Sequence, residues 1–303
     1  MFLFFMSNIC FADKVIEIKA QPNLGFEFPF LLKIPETTKS ALNYLVVETN
    51  NSGMVSDDLS VHYQKVKKAI NGNAVGPWLA KKLNSPILIP VFPRPKTDWE
   101  IYTHALDRDT LLVDSGKLKR LDLQLLAMIS YAKKELNKHK LAVKEKVILT
   151  GFSASGSLAN RFSLLHPEKL QVIVAGGLNG ILMLPVKRIG NDPLNYPIGV
   201  NDFKKVTGKE FDKRKWASLP QFLFMGKHDD NDAVKFDDAY SDIERKTIHS
   251  ALGPKMQPDR WVKCQEVYKE NNANVIFQTY EDIGHGTNLD IHIDILNFVK
   301  NNI

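Results

Sequence analysis

Cysteine is nearly absent from this chain, with two in 303 residues, Cys10 and Cys264. They form no CxxC pair and no metal-spaced cluster, which excludes a disulfide framework and a zinc site. No run of about 18 apolar residues occurs either, so no segment is expected to cross a membrane as a helix. No repeat, low-complexity block or Pro/Gly/Ser-rich linker interrupts residues 13–303, which therefore read as one domain. No motif with groove-reading geometry is present. The formal charge of +6 sits largely in stretches such as QKVKK, KLKR and KKELNKHK, where lysines interleave with core-spaced apolar residues. Those lysines read as solvated helix faces, so nucleic acid is not an expected partner.

What is present is an ordinary globular composition, 44% hydrophobic and 24% charged, enough to build a substantial core. The N-terminus, MFLFFMSNICFADKV, is apolar and has small residues at Cys10 and Ala12, three and one places before Asp13. Residues 1–12 are accordingly expected to be a short or truncated export signal, placing the mature protein in the periplasm or outside the cell. The stretch lacks the usual positive n-region. The competing reading is a hydrophobic N-terminal strand of a cytoplasmic protein.

Six short apolar runs are rich in β-branched or aromatic residues: NYLVVET (43–49), PILIPVF (86–92), KVILTGF (146–152), LQVIVAGG (170–177), PQFLFMG (220–226) and NVIFQTY (274–280). Continuous runs of this kind suit strands covered on both faces, as in a parallel sheet. Between them lie segments of helical period. In KLKRLDLQLLAMISYAKKEL, Leu121, Leu125, Met128, Ala132 and Leu136 recur every three or four residues. Alternating strands and helices predict a doubly wound, mostly parallel α/β sheet of about eight strands with helices on both faces. VIEIKA and FPFLLKIP are expected as antiparallel strands at its N-terminal edge. Ligands bind such sheets beyond the carboxyl ends of the strands, so the loops after each strand are the places to search.

In VILTGFSASGSL (147–158), Ser153, Ser155 and Ser157 each have a small residue two places before and two places after. That spacing suits a serine on a very tight strand-to-helix turn. Only Ser153 also has a glycine, Gly151, at the end of the strand, with a helix pattern of Ala154, Leu158, Phe162 and Leu165 behind it. Ser155 and Ser157 fall in the helix's first turn. After PQFLFMG comes Lys227-His228-Asp229-Asp230-Asn231-Asp232, and after NVIFQTY comes Glu281-Asp282-Ile283-Gly284-His285-Gly286. A serine, an acid and a histidine thus follow three strands in that order. Acyl transfer needs these types together: an imidazole to take the serine proton, a carboxylate to orient the imidazole, and backbone N–H groups to meet the oxyanion. Ala154 N–H would supply one donor. The loop Thr49-Asn50-Asn51-Ser52-Gly53 is the candidate for the other, through Asn50 or Asn51.

From about residue 25 to its end, the chain resembles the α/β-hydrolase superfamily, and its GFSASG elbow is similar to those of bacterial esterases and polyhydroxyalkanoate-depolymerase-like proteins. VFPRP (91–95) and YTHALDRDTL (102–111) resemble an exported bacterial subgroup. The resemblance implies Ser153 as nucleophile, His285 as base and Asp229 as acid, the last standing three places after Gly226 in a Gly-x-x-Asp turn. Asp232 is the alternative acid. Two departures stand out: Ser155 occupies the elbow position usually held by glycine, and TNNSG replaces the lipase-type HGGG. The implied activity is cleavage of carboxylic esters, small or polymeric, through an acyl-enzyme intermediate, with no cofactor and no metal. The alternatives are an amidase or peptidase on the same fold, or a non-catalytic binding protein. Residues 181–219 are long for a strand connection and are expected to form a small cap shaping the acyl pocket. His228 and His104 read as supporting residues. Arg94, Asp107, Arg108 and Asp109 read as an ion-pair network.

Overall fold

The computed structural model describes residues 13–36 and 44–303; the expected export segment, residues 1–12, lies outside them. The apolar runs fold as strands: β1 Lys14–Ile18, β2 Phe30–Ile34, β3 Val46–Glu48, β4 Ile87–Pro90, β5 Val147–Phe152 and β6 Leu170–Gly176. A two-stranded ribbon, β7 Arg188–Ile189 and β8 Asp192–Pro193, precedes β9 Gln221–Gly226 and β10 Val275–Tyr280. Among the described residues, eight strands form one sheet in the order β1-β2-β4-β3-β5-β6-β9-β10. The two N-terminal strands pair antiparallel, β1 with β2 and β2 with β4. Every other pair in the sheet is parallel.

The helices are α1 Leu59–Ala69, α2 Val75–Leu83, α3 Arg108–Leu112, α4 Leu121–Lys138, α5 Ala154–Leu165, α6 Phe203–Thr207, α7 Lys213–Ser218, α8 Asp242–Leu252, α9 Trp261–Glu270 and α10 Leu289–Lys300. They cover both faces because the central strands alternate between two cores. Leu149, Ile173, Ala175, Leu223 and Met225 join the cluster under α4, α5 and α9. Their neighbours Ile148, Val172, Val174, Phe222 and Phe224 join the cluster under α2 and α10. Successive side chains of a strand point to opposite faces, so a strand buried twice must be apolar at every position. The five residues that give α4 its periodicity are all within 1% of complete burial. A buried side chain of this size stabilises the fold by roughly 1.5–3 kcal/mol, which outweighs the missing side-chain cap at Arg120.

Residues 181–219 pack into the first core, to which Leu182, Leu194, Tyr196, Phe203 and Trp216 belong. The Tyr196 hydroxyl donates to the Leu106 carbonyl, Arg108 pairs with Asp202 at 2.7 Å, and the Trp216 ring meets Tyr268 edge-on at 5.0 Å. Met183 N–H donates to Asn160 Oδ1 of α5 at 2.8 Å, so the segment contacts α3, α5 and α9.

Candidate active site

The chain turns from β5 into α5 at Ser153, whose φ of 62° and ψ of −129° lie in a region that costs a non-glycine residue about 1–3 kcal/mol. Surrounding structure holds it there. Ser153 N–H donates to the Gly176 carbonyl at 2.9 Å, and the Ser153 carbonyl accepts from Ser157 N–H at 3.0 Å. The turn is so tight that a Cβ on Gly151 would lie 2.2 Å from the Ser155 carbonyl oxygen. One on Gly156 would lie 2.5 Å from the Gly176 carbonyl oxygen.

The three serines separate by burial and partner. The Ser155 hydroxyl donates to the Phe152 carbonyl at 2.8 Å and accepts from Phe152 N–H at 3.0 Å, closing the turn. Serine at the fifth elbow position therefore does more than stay small. The Ser157 hydroxyl donates to Asn179 Oδ1 at 2.8 Å and is buried. Ser153 alone is partly exposed. Ala154, the first residue of α5, has no intrahelical acceptor for its N–H.

The acid and histidine loops leave adjacent parallel strands, β9 and β10, and are locked to each other. His228 N–H donates to the Ile283 carbonyl at 2.9 Å and Lys227 N–H to the Tyr280 carbonyl at 2.8 Å. Any Cβ on Gly226 would meet the Ile283 and Gly284 carbonyl oxygens at 2.3 Å. This close approach puts Asp229, 5% exposed, against His285: Nδ1 lies 2.9 Å from Oδ2 and 3.1 Å from Oδ1. A carboxylate only accepts, so the proton of neutral His285 sits on Nδ1 and Nε2 presents a lone pair. The imidazole rests on the Phe152 ring, centroid to centroid 4.9 Å.

The sequence reading did not single out Asn231. Its amide Nδ2 lies 3.0 Å from His285 Nε2 and 3.4 Å from Ser153 Oγ, and its backbone N–H donates to Asp229 Oδ1 at 3.0 Å. Among the described residues no direct hydrogen bond joins Ser153 to His285; the amide lies between them. The only signal in the sequence was its position inside DDND. Asp232, the alternative acid, points elsewhere: it pairs with buried Arg260 and accepts from Val234 N–H at 3.1 Å. A second histidine–carboxylate pair, His166 Nε2 to Asp122 Oδ2 at 2.8 Å, is equally close. Its imidazole is 3% exposed against 27% for His285, and Lys209 faces its other nitrogen. Burial alone would raise Asp122, but the Arg120 fork and His166 hold its carboxyl below the usual range.

Asn50 and Asn51 follow β3 beside the elbow. The Asn50 side chain pairs with the backbone of Phe92, Nδ2 donating to its carbonyl at 2.8 Å and Oδ1 accepting from its N–H at 3.0 Å. That same carbonyl accepts from His104 Nε2 at 2.9 Å, and burial pushes His104 down to about 3, so it stays neutral. His104 thus braces the Asn50 loop. A cavity of about 200 Å³ opens here, lined among others by Glu48, Thr49, Asn50, Asn51, Phe152 and Ser155. The Thr49 hydroxyl is buried with no hydrogen-bond partner among the described residues. Glu48 accepts from Gly76 N–H at 2.5 Å and the Thr150 hydroxyl at 3.0 Å, yet burial pushes its carboxyl up to about 7.

Arg94, Asp107, Arg108 and Asp109 do not form one network. Arg94 pairs with Asp238 and stacks over Tyr102 at 3.8 Å, and Arg108 pairs with Asp202. Asp107 caps α3 through Thr110 N–H at 2.9 Å. His228 is exposed. The partners of Arg94 and Arg108 lie 144 and 94 residues away in the chain, which is why local spacing misled.

No known family's sequence profile matches the chain, and neither does any curated protein. Solved structures do match. A poly(aspartic acid) hydrolase-1 from Sphingomonas sp. KT-1 superposes with a TM-score of 0.57 at 14% identity, over 95% of this chain and 97% of that one. A poly(3-hydroxybutyrate) depolymerase from Bordetella parapertussis gives 0.52 at 15% identity, over 90% and 84%. An acylaminoacyl peptidase from Pyrococcus horikoshii gives 0.54 at 12% identity, over 97% of this chain and 42% of that one. The sheet order, the helices on both faces and these superpositions agree: the chain has the α/β-hydrolase fold.

Proposed function

We propose that the chain is a serine hydrolase that cleaves carboxylic esters. Ser153 Oγ attacks the acyl carbon while His285 Nε2 takes its proton, and Asp229 keeps the imidazole in the Nδ1–H tautomer and balances its positive charge. The N–H of Ala154 and that of Asn50 or Asn51 meet the oxyanion, each such donor being worth about 3–4 kcal/mol. Collapse expels the alcohol, which leaves with the proton from His285. Water then attacks the acyl-enzyme, with His285 again as base, and frees Ser153. The 200 Å³ cavity that Phe152, Ser155, Asn50 and Asn51 help to line receives one side of the substrate in this reading.

The observation that carries this reading is convergence. A serine at φ 62° and a histidine held by a buried carboxylate both lie within 3.4 Å of one amide nitrogen. A binding protein has no need to hold a serine in strained backbone opposite an oriented imidazole. Cleavage of amides is the second reading, favoured by neighbours described as a poly(aspartic acid) hydrolase and an acylaminoacyl peptidase. A panel of p-nitrophenyl and aryl esters of varied acyl length, polyesters and matched anilides separates the two. Wild type is expected to turn over esters and to be labelled by a fluorophosphonate, and Ser153→Ala to do neither. Undiminished ester hydrolysis by Ser153→Ala removes Ser153 from the reaction.

A further inference from the structure

We propose that Asn231 is a positioning residue that holds Ser153 and His285 parted: its amide occupies Ser153 Oγ and His285 Nε2 together, and must swing out before the hydroxyl can pass its proton to the imidazole. The proposal rests on the serine-hydrolase reading above.

The orientation of the amide follows from Asp229. With a carboxylate at 2.9 Å from Nδ1, neutral His285 carries its proton there, and Nε2 can only accept. The Asn231 NH₂ must therefore face Nε2, since an amide oxygen there would set lone pair against lone pair. Its two N–H groups suit the two acceptors found at 3.0 and 3.4 Å, the second being the Ser153 oxygen. The arrangement is specific to the resting charge state. Once Nε2 takes the serine proton, it becomes a donor facing a donor, and the contact turns repulsive. The amide therefore favours the free enzyme over the transition state, and its removal is assisted by the reaction itself.

The backbone keeps this movement local. Asn231 N–H donates to Asp229 Oδ1 at 3.0 Å, so the main chain stays tied to the acid while only the side chain rotates. A substitution at 231 that removes the amide leaves this backbone bond, and with it the aspartate–histidine pair, in place. Serine can then hydrogen-bond directly to Nε2.

The test measures inactivation of the full chain by a small fluorophosphonate, with labelling at Ser153 located by mass spectrometry. One hydrogen bond that is lost on the way to the transition state corresponds to about three- to tenfold in rate. Asn231→Ala is expected to raise kinact by that factor, with KI within about twofold of wild type and an unchanged Tm. If alanine lowers the Tm, Asn231→Leu removes the same donors while keeping the branched shape and the number of side-chain heavy atoms. A kinact that stays level or falls in a folded variant, while Ser153 is labelled in both proteins, overturns the role of Asn231 alone. No labelling of either folded protein overturns the hydrolase reading, and this inference with it.

Discussion

Asp229 and His285 come from loops 56 residues apart in sequence, and their side chains meet at 2.9 Å, Oδ2 to Nδ1, with the carboxylate buried and the imidazole partly open. The pairing is a product of β9 and β10 lying side by side in parallel, so that both loops leave the same edge of the sheet.

Replacing the buried carboxylate should leave the fold and remove the tautomer. Asp229→Asn is expected to lower kcat on a p-nitrophenyl ester by about 10⁴-fold. Asp232→Asn should act in the opposite way. Arg260 is fully buried, and losing its carboxylate leaves an uncompensated charge that costs about 3 kcal/mol or more. Its Tm should fall while kcat stays within a few-fold. A kcat loss that is greater for Asp232→Asn exchanges the two assignments.

The elbow's packing predicts intolerance to a single methyl group. A Cβ on Gly156 would press against the backbone carbonyl of Gly176, which cannot move without displacing β6. Gly156→Ala should destabilise the protein by about 2–3 kcal/mol, read as a lowered midpoint in urea with an unchanged slope. A midpoint equal to wild type would mean that the turn has room to spare.

Glu48 gives a pH dependence with a definite sign. Burial, opposed by the bonds from Gly76 and Thr150, raises its carboxyl from 4.5 to about 7 in the folded chain. The stability this lends is fully present below pH 4.5 and is lost as pH rises through about 7, amounting to about 3 kcal/mol at 1.4 kcal/mol per unit. Glu48→Gln keeps an oxygen to accept both bonds and cannot ionise. Its Tm should therefore fall less than that of wild type between pH 5 and pH 8. Parallel Tm curves would show that Glu48 ionises freely in the fold.

Cys264 is 1% exposed, and burial pushes its thiol up to about 12. Thiolate is the reactive form, so a thiol reagent at pH 8 should leave Cys264 untouched in the native chain and modify it rapidly in guanidinium. Fast native labelling of Cys264 would place it at an opened surface.

Much of the architecture is legible in the residues because both determinants are local. The central strands are mostly apolar since they feed two cores, and α4 shows its period since one face is buried. The elbow reads clearly because Gly151 and Gly156 are demanded by contacts within a few residues or with the next strand. The supporting groups were not legible for the opposite reason. Arg94 finds Asp238 across 144 residues, and Arg108 finds Asp202 across 94, distances over which spacing carries no information.

The sequence by itself determined the alternation of strands and helices, the three loops that carry a serine, acids and a histidine, and the place of Ser153, alone of three serines, at the strand-to-helix turn. These follow from burial period and from steric limits at one turn. Only the tertiary structure decided which carboxylate faces His285, that Ser155 closes the elbow rather than merely fitting it, and that an asparagine lies between serine and histidine. Those outcomes depend on hydrogen bonds between strand-end loops brought together by the sheet order, and such contacts leave no periodicity in the chain.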